Sequence, residues 1–144
     1  MTTTDKLLAV LSQLPSSIQW SDTSHTVYRV AIEGISDEDI KEGAKRILTR
    51  AKFRPTPSEV LISISTAKYG DYLPHVVIND IAEAIRLGTP FYKLHPTLQH
   101  VVAKTGGLKA WRVEPPIKGQ QLQEVLNDVL LTMIQEHINE QRAD

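Results

Sequence analysis

Signals that begin and end α-helices recur along the whole chain, and they constrain its fold more than any other feature. The clearest is the run TPSE at residues 56–59. The Thr56 hydroxyl can accept from the Glu59 amide, the Glu59 carboxylate can reach back, and Pro57 falls at the first helical position. The next seven residues, VLISIST, alternate enough to suggest a strand. Because the capping box precedes them, we predict a helix that continues to about residue 67.

The same kinds of signal predict five further short helices. Proline and glycine mark most of their ends, because proline lacks an amide hydrogen and glycine tolerates the left-handed conformation. In the second of these helices, Val27, Val30 and Ala31 form the predicted buried face. The five helices cover residues 5–14, 24–33, 37 to about 52, 74 up to Gly88, and 96 up to Gly106.

The longest helical pattern follows a predicted linker that contains Pro115-Pro116 and Gly119. It covers residues 120–142, about 34 Å at 1.5 Å per residue. We therefore predict an all-α fold, a compact orthogonal bundle of about six helices plus a long C-terminal helix. The predicted divisions are a helical domain at 1–111, a linker at 112–121 and the C-terminal helix at 122–144, which either packs on the domain or mediates association.

Composition excludes several classes of protein. Of the 144 residues, 41% are hydrophobic and 23% charged, which is typical of a globular chain. There is no cysteine, so disulfides and thiolate chemistry are excluded and a reducing cytoplasm is the expected location. The N-terminal segment lacks the basic start of a signal peptide. No apolar run approaches the roughly 20 residues of a membrane span, so no membrane association is expected.

The histidines do not have the spacing of a metal-binding helix. His95 and His100 are five residues apart, which places them about 140° from each other on a helix. A metal-binding helix instead carries its histidines at positions i and i+4. The chain also lacks a nucleophile elbow, a Walker loop and a dinucleotide-binding glycine motif. We therefore predict a non-enzymatic protein that uses no cofactor and no metal.

Basic residues cluster where the third helix ends. This cluster supplies the candidate contacts to nucleic-acid phosphates, namely Lys45, Arg46, Arg50, Lys52 and Arg54. A competing interpretation is that the helix begins with Asp37, Glu38 and Asp39 and ends with bases because the helix dipole favours that order. The net charge of -1 offers little overall attraction for phosphate, so any DNA contact is predicted to be weak.

The last helix carries two apolar stripes. The second stripe consists of Leu131, Ile134 and Ile138 and lies roughly opposite the stripe that begins at Leu122. A helix that is apolar on two sides must bury both, either inside its own domain or against another molecule. We therefore consider these three residues as candidate partner contacts, including contacts of a homodimer through this helix. Residues 117–144 carry two basic and five acidic residues, which would suit a basic partner surface.

Two blocks of the chain resemble one family. The first is GISDEDIKEGAKRILTRAKFRPTPSEVL at residues 34–61, and the second is FYKLHPTLQHVVAKTGGLKAW at residues 91–111. In both, the order of amphipathic helix, basic turn, aromatic residues, His-Pro and Gly-Gly is similar to that of phage and phage-derived loaders and inhibitors of the replicative hexameric helicase. The resemblance implies a small helical domain, a C-terminal portion that engages the helicase, and an adaptor that loads or restrains it without enzymatic activity.

The second block is interpreted mainly as a fold signature. Pro96 and Gly106 delimit a helix, and Phe91, Tyr92 and Trp111 at its two ends are predicted to pack as apolar anchors. The functional surface is placed elsewhere, at the basic turn near Phe53 and on the last helix. The function expected from the resemblance is a helicase adaptor. A DNA-binding regulator that uses residues 45–54 and an oligomeric scaffold built on the last helix are the alternatives.

Overall fold

The structure is a computed structural model that describes the backbone of residues 2–143 and the side chains of residues 2–141. In that part of the chain every regular element is helical, so the predicted all-α class is confirmed. A single 3-10 turn, Phe91–Lys93, precedes the sixth helix. The α-helices are α1 (Thr3–Gln13), α2 (Asp22–Ile32), α3 (Asp37–Arg50), α4 (Pro57–Tyr69), α5 (Pro74–Arg86), α6 (Pro96–Lys104), α7 (Gly107–Trp111) and α8 (Gly119–Ala143).

The helix starts follow the local capping chemistry. At α4 the Glu59 amide donates to Thr56 Oγ1 at 3.2 Å, and the Thr56 amide donates to Glu59 Oε1 at 2.9 Å, as predicted. The alternating run that follows is therefore helical. The α1 helix begins earlier than the predicted residue 5, because the Thr2 side chain forms the cap and Asp5 completes the box. For the helices that have a capping side chain, the predicted start lies within about two residues of the observed one.

The chain divides into two compact units. The first unit comprises the residues up to Gly70 and those from Leu131 onward, and the second comprises Asp71–Leu130. This division differs from the predicted one, because the boundary falls within α8. The segment between α7 and α8 is non-helical around Pro115-Pro116, but α8 begins at Gly119, so this segment is shorter than the predicted linker at 112–121. The predicted outer limits, Met1 and Asp144, lie outside the described residues.

The first unit is built on a close contact between α3 and α4. A Cβ atom added to Gly43 would lie 2.4 Å from Ile64 Cγ1 and 3.0 Å from Ile64 Cα, so only glycine allows the two helices to approach this closely. Lys68 Nζ of α4 also pairs with Asp39 Oδ2 of α3 at 2.9 Å. The buried core of this unit comprises Leu7, Leu8, Leu11, Tyr28, Ile32, Ile35, Ile40, Ile47, Val60, Leu61, Ile64, Ile134 and Ile138.

The second apolar stripe of the last helix belongs to this core. Ile134 and Ile138 are buried in it, and Leu131 packs against it partly buried. The candidate partner contacts Leu131 and Ile134 are therefore corrected to internal contacts, whereas Ile138 belongs to the core and also lines a surface groove of this unit. This stripe is therefore buried by the chain itself, which is the alternative to burial against another molecule. A homodimer through α8 would need a different surface from this stripe.

The second unit contains α5, α6, α7 and the first half of α8. The short helix α7 contacts both α5 and α6. Gly106, the N-cap residue of α7, has the left-handed conformation with φ of 99°, which explains why glycine occupies this position between α6 and α7. The buried apolar residues of this unit are Val77, Ile81, Ala84, Leu94, Leu98, Val101, Val102, Trp111, Leu122, Leu126, Val129 and Leu130.

Candidate functional site

A basic cavity lies in the first unit where α3 ends and the chain turns toward α4. Its volume is about 450 Å³. Among the described residues that line it, Arg46, Arg50, Lys52 and Arg54 are basic and Glu59 is acidic. The fold brings these charges together because α3 ends at Arg50 and the capping box of α4 starts only six residues later. The cavity therefore concentrates positive charge in a chain whose overall charge is close to zero.

Arg54 holds this turn in place. Its Nε donates to the Leu11 carbonyl at 2.8 Å and its Nη1 to the Ile18 carbonyl at 2.8 Å, and Nη2 reaches the Ser12 and Leu14 carbonyls at 3.3 and 3.5 Å. Three carbonyl oxygens at the end of α1 and that of Ile18 in the following loop thus accept hydrogen bonds from one guanidinium group. Arg54 was predicted to contact phosphate, but four of the five N–H donors of its guanidinium are engaged by carbonyl oxygens, so we assign it the role of fixing the turn.

Aromatic residues extend the support of the turn. The Arg54 guanidinium carbon lies 5.1 Å from the centre of the Trp20 ring, and Trp20 stacks on Tyr28 at 5.4 Å. The Tyr28 hydroxyl donates to the Pro55 carbonyl at 2.7 Å. Burial raises the pKa of Tyr28, and the positive charge of Arg54 opposes part of that rise. The hydrogen bond of Tyr28 to Pro55 therefore supports the turn in addition to the contacts of Arg54 itself.

Phe53 stands exposed on this rigid turn. Its side chain is 71% exposed, although burying a phenylalanine usually stabilises a protein by roughly 1.5–3 kcal/mol. It lines both the basic cavity and a second cavity of about 500 Å³, where Pro15, Ser16 and Ser17 also lie. An exposed aromatic ring therefore borders both cavities, at the basic turn that the sequence predicts as a functional surface.

The other predicted nucleic-acid contacts separate into two groups. Arg46, Arg50 and Lys52 line the basic cavity together. Lys45 does not line it, and its Nζ pairs with Glu42 Oε1 at 3.2 Å along α3. Three of the five predicted residues thus face one site, Arg54 supports that site from within, and Lys45 lies apart.

A second surface of the first unit was missed by the sequence analysis. Val27 and Val30 were predicted to be buried, but they are 47% and 51% exposed, because α2 buries Tyr28 and Ile32 instead. Val30 borders a groove of about 480 Å³ that α2, α4 and the end of α8 form together. Val27 lies one turn from it on the same side of α2. Hereafter the apolar groove means the surface lined by Val30, Ala31, Pro57, Ser58, Leu61, Gln135, Ile138 and Asn139.

The aromatic tract of the second unit is partly a fold signature, as predicted. Trp111 is buried and its Nε1 donates to Thr105 Oγ1 at 2.7 Å. His95 caps α6, because its Nδ1 accepts from the Thr97 amide at 3.1 Å. Phe91 and Tyr92 were predicted to be anchors, but both are exposed. That part of the prediction was wrong because the 3-10 turn directs them away from the unit's interior.

Neither a metal-binding cluster nor a membrane-spanning helix is found among the described residues. No group of three or more histidine, cysteine, aspartate or glutamate residues among them is arranged to hold a metal ion. Within the same residues, no helix combines the length and the apolar character needed to cross a membrane.

Comparisons with protein-family models, with curated proteins and with solved structures gave no match to this chain. The resemblance to helicase loaders and inhibitors therefore stays a prediction, and the surfaces described above provide the structural basis for a functional proposal.

Proposed function

We propose that this chain is a non-enzymatic adaptor of DNA replication that binds a replicative hexameric helicase in the cytoplasm and loads or restrains it. The apolar groove of the first unit is the observation that supports protein binding. The resemblance of residues 34–61 and 91–111 to helicase loaders and inhibitors supports the choice of partner.

The groove has the properties of a protein-binding surface. Val27 and Val30 leave about half of each side chain in water at neighbouring positions on α2. The groove beside them has an apolar floor that includes Leu61 and Ile138, and a polar rim that includes Gln135 and Asn139. Interfaces commonly combine an apolar centre with a polar rim in this way. A partner that covered both valines would bury about as much apolar surface as one complete valine side chain.

That area sets the expected effect of a substitution. Burying the exposed halves of the two valines contributes about 2 kcal/mol to binding, which corresponds to about 30-fold in the dissociation constant. The double substitution Val27→Gln and Val30→Gln removes this contribution without changing the net charge. Leu48→Gln is the matched control, because Leu48 is 59% exposed on α3 and does not line the groove.

The proposal is tested by size-exclusion chromatography with light scattering. The chain is mixed with the replicative helicase of its own replication system, in the presence of ATP analogue or of ADP. We expect the wild-type chain and the Leu48→Gln variant to co-elute with the hexamer, and the double glutamine variant to bind about 30-fold more weakly. Absence of a complex in both nucleotide states would refute the proposed function.

A further inference from the structure

We propose that the basic cavity and Phe53 form a binding site for single-stranded nucleic acid. The site is distinct from the apolar groove and does not depend on the helicase being the partner. Its parts are the cations Arg46, Arg50 and Lys52, the exposed ring of Phe53, and the second cavity at Ser16 and Ser17.

The charge of the cavity favours an anionic ligand. Arg54 contributes a full positive charge to it, because its partners are neutral carbonyl oxygens and the Trp20 ring. The carboxylate of Glu59 accepts a hydrogen bond from the Thr56 amide in the capping box of α4, so it already has a structural role. Arginine side chains predominate among the cations, and their planar forked donors match the oxygens of a phosphate group.

The position of Phe53 favours a strand of nucleotides over a compact anion. Phe53 lines both cavities, and the backbone next to it is anchored, because the Arg54 amide donates to the Pro15 carbonyl at 2.7 Å and the Arg54 guanidinium donates to carbonyls before and after Pro15. A single strand alternates phosphate groups with flat bases, and every base can stack on an exposed aromatic ring. One base on Phe53 would place its flanking backbone toward the basic cavity on one side and the hydroxyls of Ser16 and Ser17 on the other.

Duplex DNA is a poorer match to the same surface. A duplex keeps its bases stacked inside, so Phe53 would have no free base face to contact. Its phosphates also extend over a longer path, and α3 begins with Asp37, Glu38 and Asp39, which would repel them. The arrangement of one ring beside one basic cavity therefore indicates a short contact of a few nucleotides on a single strand.

Fluorescence anisotropy of labelled oligonucleotides tests the proposal. The probes are a 20-nucleotide dT strand, the corresponding rU strand and a mixed-sequence duplex, titrated over a series of salt concentrations. If three cations pair with phosphates, the logarithm of the binding constant should fall with the logarithm of salt concentration with a slope of about -2. We expect at least one single-stranded probe to bind more tightly than the duplex, and the comparison of dT with rU identifies which strand is preferred.

Variants separate stacking from charge. Phe53→Ala should weaken binding by about 5- to 150-fold with an unchanged salt slope, because stacking on an aromatic ring is largely independent of salt. The double variant Arg50→Gln and Lys52→Gln should reduce the slope to about -0.7. Lys45→Gln is the matched control, since Lys45 is a cation of the same helix that lies outside the cavity. Far-ultraviolet circular dichroism verifies that each variant is folded.

Several outcomes would overturn this proposal. One is the absence of binding of either strand at about 20 mM salt, and another is equal affinity for the duplex. Equal loss of affinity in Lys45→Gln and in the Arg50→Gln and Lys52→Gln variant, or an unchanged affinity in Phe53→Ala, would also overturn it. Tighter, Phe53-dependent binding of a peptide of alternating glutamate and phenylalanine would also overturn it and would assign the site to an acidic protein segment. The Val27→Gln and Val30→Gln variant should bind single strands normally, so failure of the helicase proposal would remain distinguishable.

Discussion

Replacing Gly43 by alanine tests the helix contact on which the first unit is built. The added Cβ would lie 2.4 Å from Ile64 Cγ1, whereas carbon atoms in favourable contact are about 3.5–4.0 Å apart. A change of the Ile64 rotamer cannot relieve the contact fully, because the Ile64 Cα lies only 3.0 Å away. Ile64 is also completely buried, so its side chain has no open space to enter. The two helices α3 and α4 would have to separate.

The expected free-energy change is the difference between two opposing effects. Adding a methyl group to a packed core typically destabilises a protein by about 1–3 kcal/mol. Alanine is about 1 kcal/mol more favourable than glycine inside a helix. The difference is about 0–2 kcal/mol, and we expect Gly43→Ala to lower the free energy of unfolding by an amount in the upper part of that range, because the 2.4 Å contact forces the helices apart. With a urea dependence of about 1.5 kcal/mol per molar, the unfolding midpoint should fall by roughly 1 M.

Urea denaturation followed by circular dichroism measures this change. The control is a double-mutant cycle with Ile64→Ala, which removes the Cγ1 atom that the new methyl group would meet. Gly43→Ala should destabilise the wild-type background by more than the Ile64→Ala background, with a coupling energy of about 1–2 kcal/mol. A Gly43→Ala protein as stable as the wild type, or a coupling energy near zero, would refute the steric argument.

Three further substitutions test the supports of the two units. Arg54→Lys keeps the charge but loses the forked donors, so urea denaturation should show a loss of about 2–4 kcal/mol; an unchanged midpoint would contradict the structural role of Arg54. Because the pKa of Tyr28 is raised in the folded protein, its neutral hydroxyl stabilises the fold fully below about pH 10, and this stabilisation is lost as the pH rises further. Tyr28→Phe should therefore lessen the loss of folding stability measured between pH 9 and 11. Thr105→Val leaves the Trp111 indole donor without its partner and should lower the free energy of unfolding by about 1–3 kcal/mol, whereas Thr105→Ser should retain most of it.

Local chemistry made the helices predictable from the sequence. The capping box at Thr56 and Glu59 needs only residues that are adjacent in the chain, so its outcome does not depend on the rest of the fold. The same applies to His95, which caps α6 through its own neighbour Thr97. The all-α class and the approximate helix boundaries therefore follow from interactions between residues close together in the chain.

The direction in which each helix faces could not be derived in the same way. Val27 and Val30 lie on a regular apolar stripe of α2, but the neighbouring positions Tyr28 and Ile32 are the ones that the core accepts. That choice depends on contacts with other helices, which a single sequence does not specify. The second stripe of α8 likewise has the pattern of an interface, although Ile134 and Ile138 complete the core.

The candidate site shows the same limit on individual residues. The cluster of bases at the end of α3 was visible in the sequence, and four of its five members line one cavity. Arg54 looked like one more surface cation, because its carbonyl partners at Leu11 and Ile18 lie about 40 residues away in the chain. Only the folded arrangement shows that Arg54 fixes the turn through these carbonyl oxygens in addition to lining the cavity.

Amide hydrogen exchange of the chain, with and without a replicative helicase hexamer, tests the proposed adaptor function most directly. If the apolar groove binds the helicase, exchange should slow in α2, which carries Val27 and Val30, and around Gln135 and Ile138 of α8. The Val27→Gln and Val30→Gln variant should show little slowing at the same concentrations. No slowed amides at saturating helicase, or slowing confined to Asp71–Leu130, would contradict the proposal that this groove makes the chain a helicase adaptor.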